Sequence, residues 1–311
     1  MILKFPSNFR RHPAMAIRSK SPMLAHLYES VDLGGIVSDL IADPGTTLLR
    51  PIFHLAPPTL IPRKRGPLVS VIVATRNNAA TIERSLRSLL SQTYESIEIV
   101  VVDDASEDHS TKIIAALAAR DARISVVENS AQMGTGPSRN VGLRVARGEY
   151  VTFHDGDDFS EAKRIAMQVK ALEANPGKEL CLCNYVRVNS RGKGIRVNEK
   201  RVMKCIISMM FRRERVVERV GYFINQSISE DSDFYERVKI AFGQSSEIVL
   251  PRTLYRALYR RGSSFFTSVD VTHDDDESVQ FTSREQTVRA NETIKMRHRE
   301  MRAGRISFRV E

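Results

Sequence analysis

Near-continuous runs of apolar, largely β-branched residues constrain the fold of this chain more than any other feature. Two of them, LVSVIVAT from Leu68 and IEIVVVDDAS from Ile97, are typical of strands buried on both faces of a parallel sheet. Segments with helical apolar spacing separate these strands from the later runs ISVVEN and EYVTFHD. The alternation predicts a doubly wound, Rossmann-like α/β sheet, in which ligands bind at the carboxyl ends of the strands.

Length and hydropathy indicate an ordinary globular protein. The chain has 311 residues, 42% of them hydrophobic, enough for one large domain or two modest ones. No apolar run approaches the roughly 18–20 residues of a membrane-spanning helix, and charges interrupt the first twenty positions, where a signal peptide needs an apolar stretch. The three cysteines, Cys181, Cys183 and Cys205, lack zinc-site spacing and fit a reducing compartment. We expect a cytoplasmic protein.

The net charge of +10 limits the kinds of partner. Such a charge suits nucleic acid, an anionic membrane surface or a phosphorylated substrate, and a solvated basic surface explains it equally well. No basic platform with interleaved aromatic residues is present, so nucleic acid is not expected. The specific partner that we favour is an anionic membrane, contacted peripherally at its inner face.

The first 66 residues differ from the rest of the chain. Eight prolines exclude long regular elements across most of this stretch, although one helix is plausible from about Pro22 to Ile41. We interpret residues 1–66 as an N-terminal extension of unknown role.

Acidic residues follow the strand EYVTFHD and suggest a cation site. Asp155, Asp157 and Asp158 share one sheet edge, where like charges repel unless a cation or a proton neutralises them. Hard oxygen ligands on a short turn suit Mg²⁺ or Mn²⁺ carrying a phosphate-bearing substrate. A solvated acidic loop is the alternative.

Other strand ends carry groups that suit a nucleotide. Thr75 and Asn77 end the first strand, where a nucleobase could lie against the backbone, or where the turn merely caps the next helix. Asp104 ends the second strand, and a carboxylate there can accept hydrogen bonds from a base N–H or a ribose hydroxyl. Arg139 and Asn140 begin a helix behind a glycine turn, where amides and a guanidinium suit diphosphate oxygens.

Four separated pieces of the sequence, from Val69 to about Phe266, resemble family 2 nucleotide-sugar glycosyltransferases, which have the GT-A fold. They occur in the order VSVIVATRNNAATIERSLRSLLSQTYESIEIVVVDDASED, NSAQMGTGPSRNVGLRVARGEYVTFHDGDD, FRRERVVERVGYF with SEDSDFYERV, and LYRALYRRGSSF. The resemblance covers about two thirds of the chain. The four pieces in this order identify the family more specifically than any single piece does.

The resemblance implies a role for each acidic group. Asp155 and Asp157 form a DxD pair for one Mg²⁺ or Mn²⁺ that bridges the two phosphates, and Asp104 lies on the uracil side of a UDP-sugar. Asp231 is the base that takes the acceptor's proton, and Glu230 orients or binds the acceptor. Such single displacement inverts the anomeric centre. For the segment around Asp231 alone, an acidic helix start is the alternative.

The family therefore predicts a metal-dependent inverting glycosyltransferase. It would move a sugar from a nucleotide donor, UDP-linked by resemblance, to a glycan or lipid-linked hydroxyl acceptor in surface polysaccharide assembly. A non-catalytic GT-A-like scaffold is the alternative, which the two intact acidic pairs disfavour. A nucleotidyltransferase would need a glycine-rich loop with Arg and Lys after the first strand, and ATRNNAATIERS has none.

We predict that the donor and the acceptor bind to successive segments of the chain. Residues 67–190 form the nucleotide-sugar-binding half, 191–270 the acceptor-binding half, and 271–311 a charged, partly helical tail. His273, in that tail, either completes the metal site or is exposed to solvent.

Overall fold

The apolar runs form the parallel centre of a mixed sheet. The computed structural model describes residues 66–226, 228–260, 263, 265–275 and 277–311. Within those ranges, the strands are β1 (Val69–Thr75), β2 (Ile97–Asp103), β3 (Ile124–Glu128), β4 (Tyr150–Asp155), β5 (Phe159–Ser160), β6 (Leu180–Val188), β7 (Gly194–Val197), β8 (Met203–Arg212), β9 (Glu247–Leu258), β10 (Val269–Asp274) and β11 (Ser278–Ser283). The predicted extension before Gly66, with its helix from Pro22 to Ile41, lies outside these residues.

Strand order divides the sheet into a parallel half and a mixed half. The order is β10-β11-β7-β6-β8-β4-β1-β2-β3, and β9 joins β5 and β6 beside this path. Strands β4, β1, β2 and β3 are parallel neighbours, as the buried β-branched runs predicted. Strand β8 is antiparallel to β4 and to β6. The mixed half therefore begins directly beyond β4.

Eight helices accompany these strands in the described part of the chain. They are α1 (Ile82–Leu90), α2 (Ser110–Ala118), α3 (Thr135–Val145), α4 (Arg164–Glu173), α5 (Arg213–Val220), α6 (Glu230–Phe242), α7 (Phe265–Ser268) and α8 (Glu285–Arg302). Alternate β1 residues face opposite layers: Val71 packs with α1, α2 and α4, and Ile72 packs with α3 and α6. Burial on both faces is the reason that β1 and β2 read as continuous apolar runs.

The segment LYRALYRRGSSF differs from its prediction as a pair of strands. Its first part belongs to one long strand, β9, which runs parallel to β6 and antiparallel to β5. The neighbours that complete the pairing come from distant parts of the chain, so the local pattern did not reveal them.

The C-terminal residues fold back on the main sheet and its helices. Helix α8 confirms the helix predicted near Arg284 to Arg302, and it packs against α6. Val310 pairs with Gly221 in an isolated bridge. The division into donor and acceptor halves stays a prediction. None of the helices in the described ranges is both long and apolar enough to cross a membrane.

Candidate active site

Parallel register brings three of the predicted strand ends together. Thr75 of β1 is the partner of Asp103 of β2, and Ala74 is the partner of Asp155 of β4. The turn after β4 then supplies Asp157. In a doubly wound sheet this edge, at the carboxyl ends of the strands, is where ligands bind.

Carboxylates from two distant segments line one cavity at this edge. The cavity has a volume of about 270 Å³, and Asp155, Asp157 and Asp158 form part of its wall together with Asp231. Asp231 lies in the first turn of α6, more than seventy residues along the chain from the turn after β4. The structure thus places the predicted base beside the predicted metal ligands.

Arg139 connects the two acidic groups. Its guanidinium donates one hydrogen bond to Asp155 Oδ1 at 3.0 Å and another to Glu230 Oε1 at 3.1 Å. Phe153 and Phe223 flank it, each ring centre 5.7 Å from its Cζ. The side chain is 3% exposed. The described contacts of Arg139 hold protein carboxylates in place, and its predicted contact with diphosphate oxygens stays a prediction.

The charges around Arg139 keep it ionised. Burial lowers the pKa of Arg139, but the charges of Asp155, Glu230 and Asp231 outweigh burial and raise it. For Glu230, burial raises the pKa, and Asp231 adds to this increase while Arg139 opposes it. Arg139 and Glu230 therefore form a buried salt bridge, and the Asp231 carboxylate acts on Glu230 as a second negative charge.

Asp157 faces a different cation. Arg260 donates a hydrogen bond to Asp157 Oδ2 at 3.4 Å and another to Asn78 Oδ1 at 2.8 Å. Burial, followed by the charge of Asp155, raises the pKa of Asp157, and Arg260 opposes the shift. Asp155 and Asp157 repel each other in this partly buried turn. A further positive charge nearby would therefore stabilise both carboxylates.

Asp158 lines the cavity and also holds the acidic turn in place. Its Oδ1 accepts a hydrogen bond from the Leu258 amide at 2.8 Å, which ties the turn to the end of β9. Burial, then the charges of Asp157 and Asp155, raise the pKa of Asp158 well above its usual range. Tyr255 of β9 adds a second tie, because its hydroxyl accepts a hydrogen bond from the Asp155 amide at 3.1 Å.

Gly156 allows β1 and the acidic turn to approach closely. A Cβ atom at this position would lie 2.4 Å from Oγ1 of Thr75 and 2.8 Å from its Cβ. Thr75 itself accepts a hydrogen bond from Asn78 Nδ2 at 3.0 Å. Only a residue without a side chain permits this contact.

Asn77 and Asp104 organise the loops beside β1 and β2. The Asn77 side-chain oxygen accepts a hydrogen bond from the Glu107 amide at 2.9 Å. The Asp104 carboxylate accepts hydrogen bonds from the amides of Met133 and Gly134 and from Asn129 Nδ2, all at 2.8 Å. Both of its oxygens are therefore used within the protein. Direct contact of either residue with a nucleotide stays a prediction.

Asn140 holds the segment that leads to α6. Its Nδ2 donates to the Phe223 carbonyl at 3.0 Å, and its Oδ1 accepts from the Phe223 amide at 2.8 Å. Since both ends of the amide are paired with one backbone residue, the described contacts make Asn140 a positioning residue. Its predicted place beside the diphosphate stays a prediction.

Two histidines lie outside the set of candidate metal ligands. His154 of β4 is fully buried against Tyr255, and burial, followed by the charge of Arg164, lowers its pKa well below the usual range. His273 is 49% exposed and pairs with Asp275 at 2.7 Å. His273 lines a surface depression with Phe266 and Val269 and not the acidic cavity.

The side chains present fit a cation that shares its ligands with a substrate. Among the described residues, no group of three or more His, Cys, Asp or Glu side chains could hold a metal by itself. Asp155 and Asp157 offer two hard carboxylates. Protein sites for Mg²⁺ on phosphate substrates commonly use one or two carboxylates, with phosphate and water completing the shell.

Sequence reasoning missed the opposite wall of the cavity. Tyr185 and Arg187 of β6 line it together with Lys204 of β8. No local motif marks these residues. Only the pairing of β6 with β8 and β9 brings them to the acidic turn.

The fold and the acidic cavity define the GT-A class of α/β proteins. Solved structures share this fold at low sequence identity. S. aureus TarS, residues 1–349 with UDP-GlcNAc, aligns with a TM-score of 0.57 at 21% identity, over 76% of this chain and 71% of that one. The Pyrobaculum calidifontis mannosyltransferase PcManGT, with GDP-Man and Mn²⁺, aligns with a TM-score of 0.52 at 19% identity, over 91% and 81%.

The chain belongs to glycosyl transferase family 2, whose family model matches residues 70–232. An Escherichia coli relative, the UDP-Glc:alpha-D-GlcNAc-diphosphoundecaprenol beta-1,3-glucosyltransferase WfaP, is 39% identical over 106 residues. That alignment covers 34% of this chain and 41% of the relative, so the chain spans less than half of the relative's length. The predicted family and the predicted GT-A fold are confirmed.

Proposed function

We propose that this protein is a metal-dependent, inverting glycosyltransferase that moves a sugar from a UDP-linked donor to a hydroxyl acceptor. One observation carries the proposal: Asp155 and Asp157 share a cavity with Asp231. Such a site has the two parts that direct displacement needs, one for the leaving diphosphate and one for the acceptor's proton.

The donor would occupy the parallel half of the sheet. Its nucleotide would lie over the ends of β1 and β2, near Thr75, Asn77 and Asp104, with the diphosphate directed toward Asp155 and Asp157. Two fold neighbours support a nucleotide-sugar donor, since their structures contain UDP-GlcNAc and GDP-Man. The E. coli relative is named for a UDP-linked donor, which favours uridine here.

Asp155 and Asp157 would hold Mg²⁺ or Mn²⁺ together with the donor's phosphates. Bound there, the ion would neutralise negative charge on the leaving diphosphate. Within the protein, Arg139 fixes the position of Asp155 and Arg260 restrains Asp157. The mannosyltransferase with the same fold contains Mn²⁺, which supports a divalent ion of this kind.

Asp231 would act as the general base. Its carboxylate would take the proton from the acceptor hydroxyl while the hydroxyl oxygen attacks the anomeric carbon from the side opposite the diphosphate. Glu230, fixed by Arg139, would orient Asp231 or the acceptor. A single displacement of this kind inverts the anomeric centre.

The acceptor would be a glycan or a lipid-linked sugar in polysaccharide assembly. The E. coli relative takes a diphosphoundecaprenol-linked acceptor, according to its name. A net charge of +10 on this chain would favour an anionic membrane, at whose inner, cytoplasmic face such an acceptor is presented.

The test is UDP or GDP release from a panel of nucleotide sugars, measured with and without Mn²⁺. We expect release with at least one UDP-sugar and a thermal shift of the protein by UDP that requires the ion. Absence of both, for every donor, would overturn the proposed activity.

Variants separate donor binding from chemistry. Asp155→Asn and Asp157→Asn should abolish the Mn²⁺-dependent thermal shift by UDP, because each removes a ligand of the ion. Asp231→Asn should keep that shift and lose transfer by about a hundredfold or more, as expected for loss of a general base. Asp121→Asn is the control, since Asp121 precedes β3 at the opposite edge of the sheet. Near-normal transfer by Asp231→Asn would remove Asp231 as the base.

A further inference from the structure

Two cationic side chains lie in the wall of the same cavity as the candidate base. Arg187 of β6 and Lys204 of β8 line it with Asp155, Asp157 and Asp231. Nothing in the donor-binding scheme uses them. A cavity with carboxylates on one side and cations on the other can hold a metal-bound diphosphate and a second anion in separate places.

The order of the strands puts these cations on the side away from the nucleotide. Strands β1 and β2 lie on one side of β4, and β8 and β6 follow on the other side. The acidic turn after β4 is therefore in the middle, between the nucleotide end and the wall with Arg187 and Lys204. In a displacement reaction, the acceptor approaches from the side of the sugar opposite the diphosphate.

Lys204 belongs to a pair of lysines that contact Glu247. It lies 3.6 Å from Glu247, but Lys239 also contacts that carboxylate, at 3.2 Å. Tyr235 donates a further hydrogen bond to Glu247 at 2.6 Å. Two lysines thus share one carboxylate, and their group keeps an excess of one positive charge.

Arg187 is half-buried at the cavity wall, two residues along β6 from Tyr185. Burial raises the pKa of Tyr185, and the guanidinium of Arg187 opposes this rise. Tyr185 and Arg187 both line the cavity, so the guanidinium lies at its wall. A planar guanidinium is well suited to phosphate or carboxylate oxygens.

We propose that Arg187 and Lys204 form an acceptor subsite for an anionic group, a phosphate or a carboxylate, close to the nucleophilic hydroxyl. This inference rests on the proposed function and adds the acceptor's chemical class to it. The acceptor oxygen bonds to the anomeric carbon, its proton goes to Asp231, and the bond to the diphosphate breaks with its electron pair on the diphosphate. Arg187 and Lys204 hold the acceptor and exchange no proton in this step.

The donor diphosphate has another cation available to it. Arg260 contacts Asp157 and Asn78, on the β1 side of the acidic turn. If Arg187 and Lys204 belonged to the donor subsite instead, their removal would weaken UDP binding. UDP binding by the variants therefore distinguishes an acceptor subsite from a donor subsite.

The experiment measures acceptor-probe binding by calorimetry to protein already saturated with UDP and Mn²⁺, so that the donor subsite is filled. The probes are a short alkyl lipid bearing GlcNAc through a diphosphate, a methyl glucuronide, and neutral methyl GlcNAc. We expect one anionic probe to bind at least about tenfold more tightly than the neutral one, as expected for charge-assisted contacts. The first two probes distinguish phosphate from carboxylate.

Variants then test whether Arg187 and Lys204 bind the anionic probe. Arg187→Gln and Lys204→Gln should each weaken the anionic probe about tenfold and leave the neutral probe and UDP within about twofold. Lys204→Arg should retain most of the affinity. Arg196→Gln, on β7 and exposed, is the control with the same loss of charge.

Four results overturn the inference, of which three concern the anionic probes and UDP. They are equal binding of anionic and neutral probes by the wild-type protein, unchanged anionic binding in both Gln variants, and loss of UDP binding in those variants. Lack of binding by every probe to UDP-saturated protein counts in the same way. Each leaves the proposed function standing, because failure of that function appears separately as absence of nucleotide release and of UDP binding.

Discussion

Arg139 contacts Asp155 of the cavity wall and Glu230, the neighbour of Asp231. Its two hydrogen bonds connect β4 to the first turn of α6, and two phenylalanine rings fix its plane. A buried cation held in this way keeps Asp155 and Glu230 at a constant separation. Arg139 therefore helps to set the distance between the candidate metal ligands and the candidate base.

Replacement of Arg139 by methionine should destabilise the protein. It leaves Asp155 and Glu230 without their cation, and loss of one partner of a buried salt bridge costs about 3 kcal/mol or more of unfolding free energy. Urea denaturation at pH 7 measures the loss. Adding Glu230→Gln should recover part of it, because a neutral amide needs no counter-charge.

The control for this prediction is Arg144→Met in the same helix. Arg144 lies on the exposed side of α3 and stacks on Tyr222 at 4.2 Å, so its loss should change the unfolding free energy by about 1 kcal/mol or less. Equal effects of the two substitutions would mean that Arg139 is not the buried link described above.

Helix α6 connects the candidate active site to the C-terminal part of the chain. Its first turn carries Glu230, Asp231 and Asp233, and Asp233 is fully buried. Asp233 pairs with Arg237 at 2.7 Å and with His298 of α8 at 2.9 Å. The acidic segment thus serves two purposes, because Asp231 lines the cavity and Asp233 forms buried ion pairs with α6 and α8.

The chain's last residues support the segment that precedes α6. Val310 donates to the Val220 carbonyl and accepts from the Tyr222 amide, at 3.0 and 2.9 Å. Asn140 holds Phe223, the next residue along. The charged, partly helical tail therefore supports the segment that leads to α6.

Asp233→Asn should lower stability in a pH-dependent manner. Burial raises the pKa of Asp233, but the hydrogen bond from His298 and the charge of Arg237 outweigh it, so the folded-state pKa is below the ordinary value. The contribution of Asp233 is therefore present above an aspartate pKa of about 3.9 and is lost as the pH falls through the folded-state pKa. We expect a loss of about 3 kcal/mol at pH 7 that shrinks below about pH 4.

Urea denaturation from pH 3 to pH 7 measures this dependence. Glu236→Gln serves as the matched change on α6, since its ion pair with Arg302 is partly exposed and contributes about 1 kcal/mol or less. A loss for Asp233→Asn that stays constant across the range would contradict the assigned ion pairs.

At the scale of the whole molecule, the net charge of +10 leads to a prediction about membranes. Lys295 and Arg299 lie one turn apart on the exposed side of α8, beside Met296, which is 59% exposed. We expect the protein to sediment with vesicles containing phosphatidylglycerol, to stay in solution with phosphatidylcholine alone, and to dissociate as salt rises.

The double variant Lys295→Gln/Arg299→Gln should reduce vesicle binding more than Lys112→Gln/Arg120→Gln, which removes the same charge near α2. Equal reductions would indicate an effect of total charge rather than of the α8 surface. Binding to neutral vesicles at the same level would exclude the electrostatic contact.

Much of the central fold followed from local pattern. Strands such as β1 and β2 are buried on both faces, so their composition alone distinguishes them from helices and from half-exposed strands. The strand pair predicted around Leu254 to Phe265 was wrong, because the partners of β9 lie in β5 and β6. Long-range pairing leaves little trace in the sequence of either strand.

The sequence by itself determined the parallel centre of the sheet, the acidic turn at the end of β4 and the family to which the chain belongs. These depend on burial pattern and on short motifs, which neighbouring residues define. Only the tertiary structure decided that Asp231 meets Asp155 and Asp157 in one cavity, that Arg139 binds carboxylates, and that Arg187 and Lys204 form the far wall. Such contacts join residues that are far apart along the chain, and packing of whole elements, not local preference, brings them together.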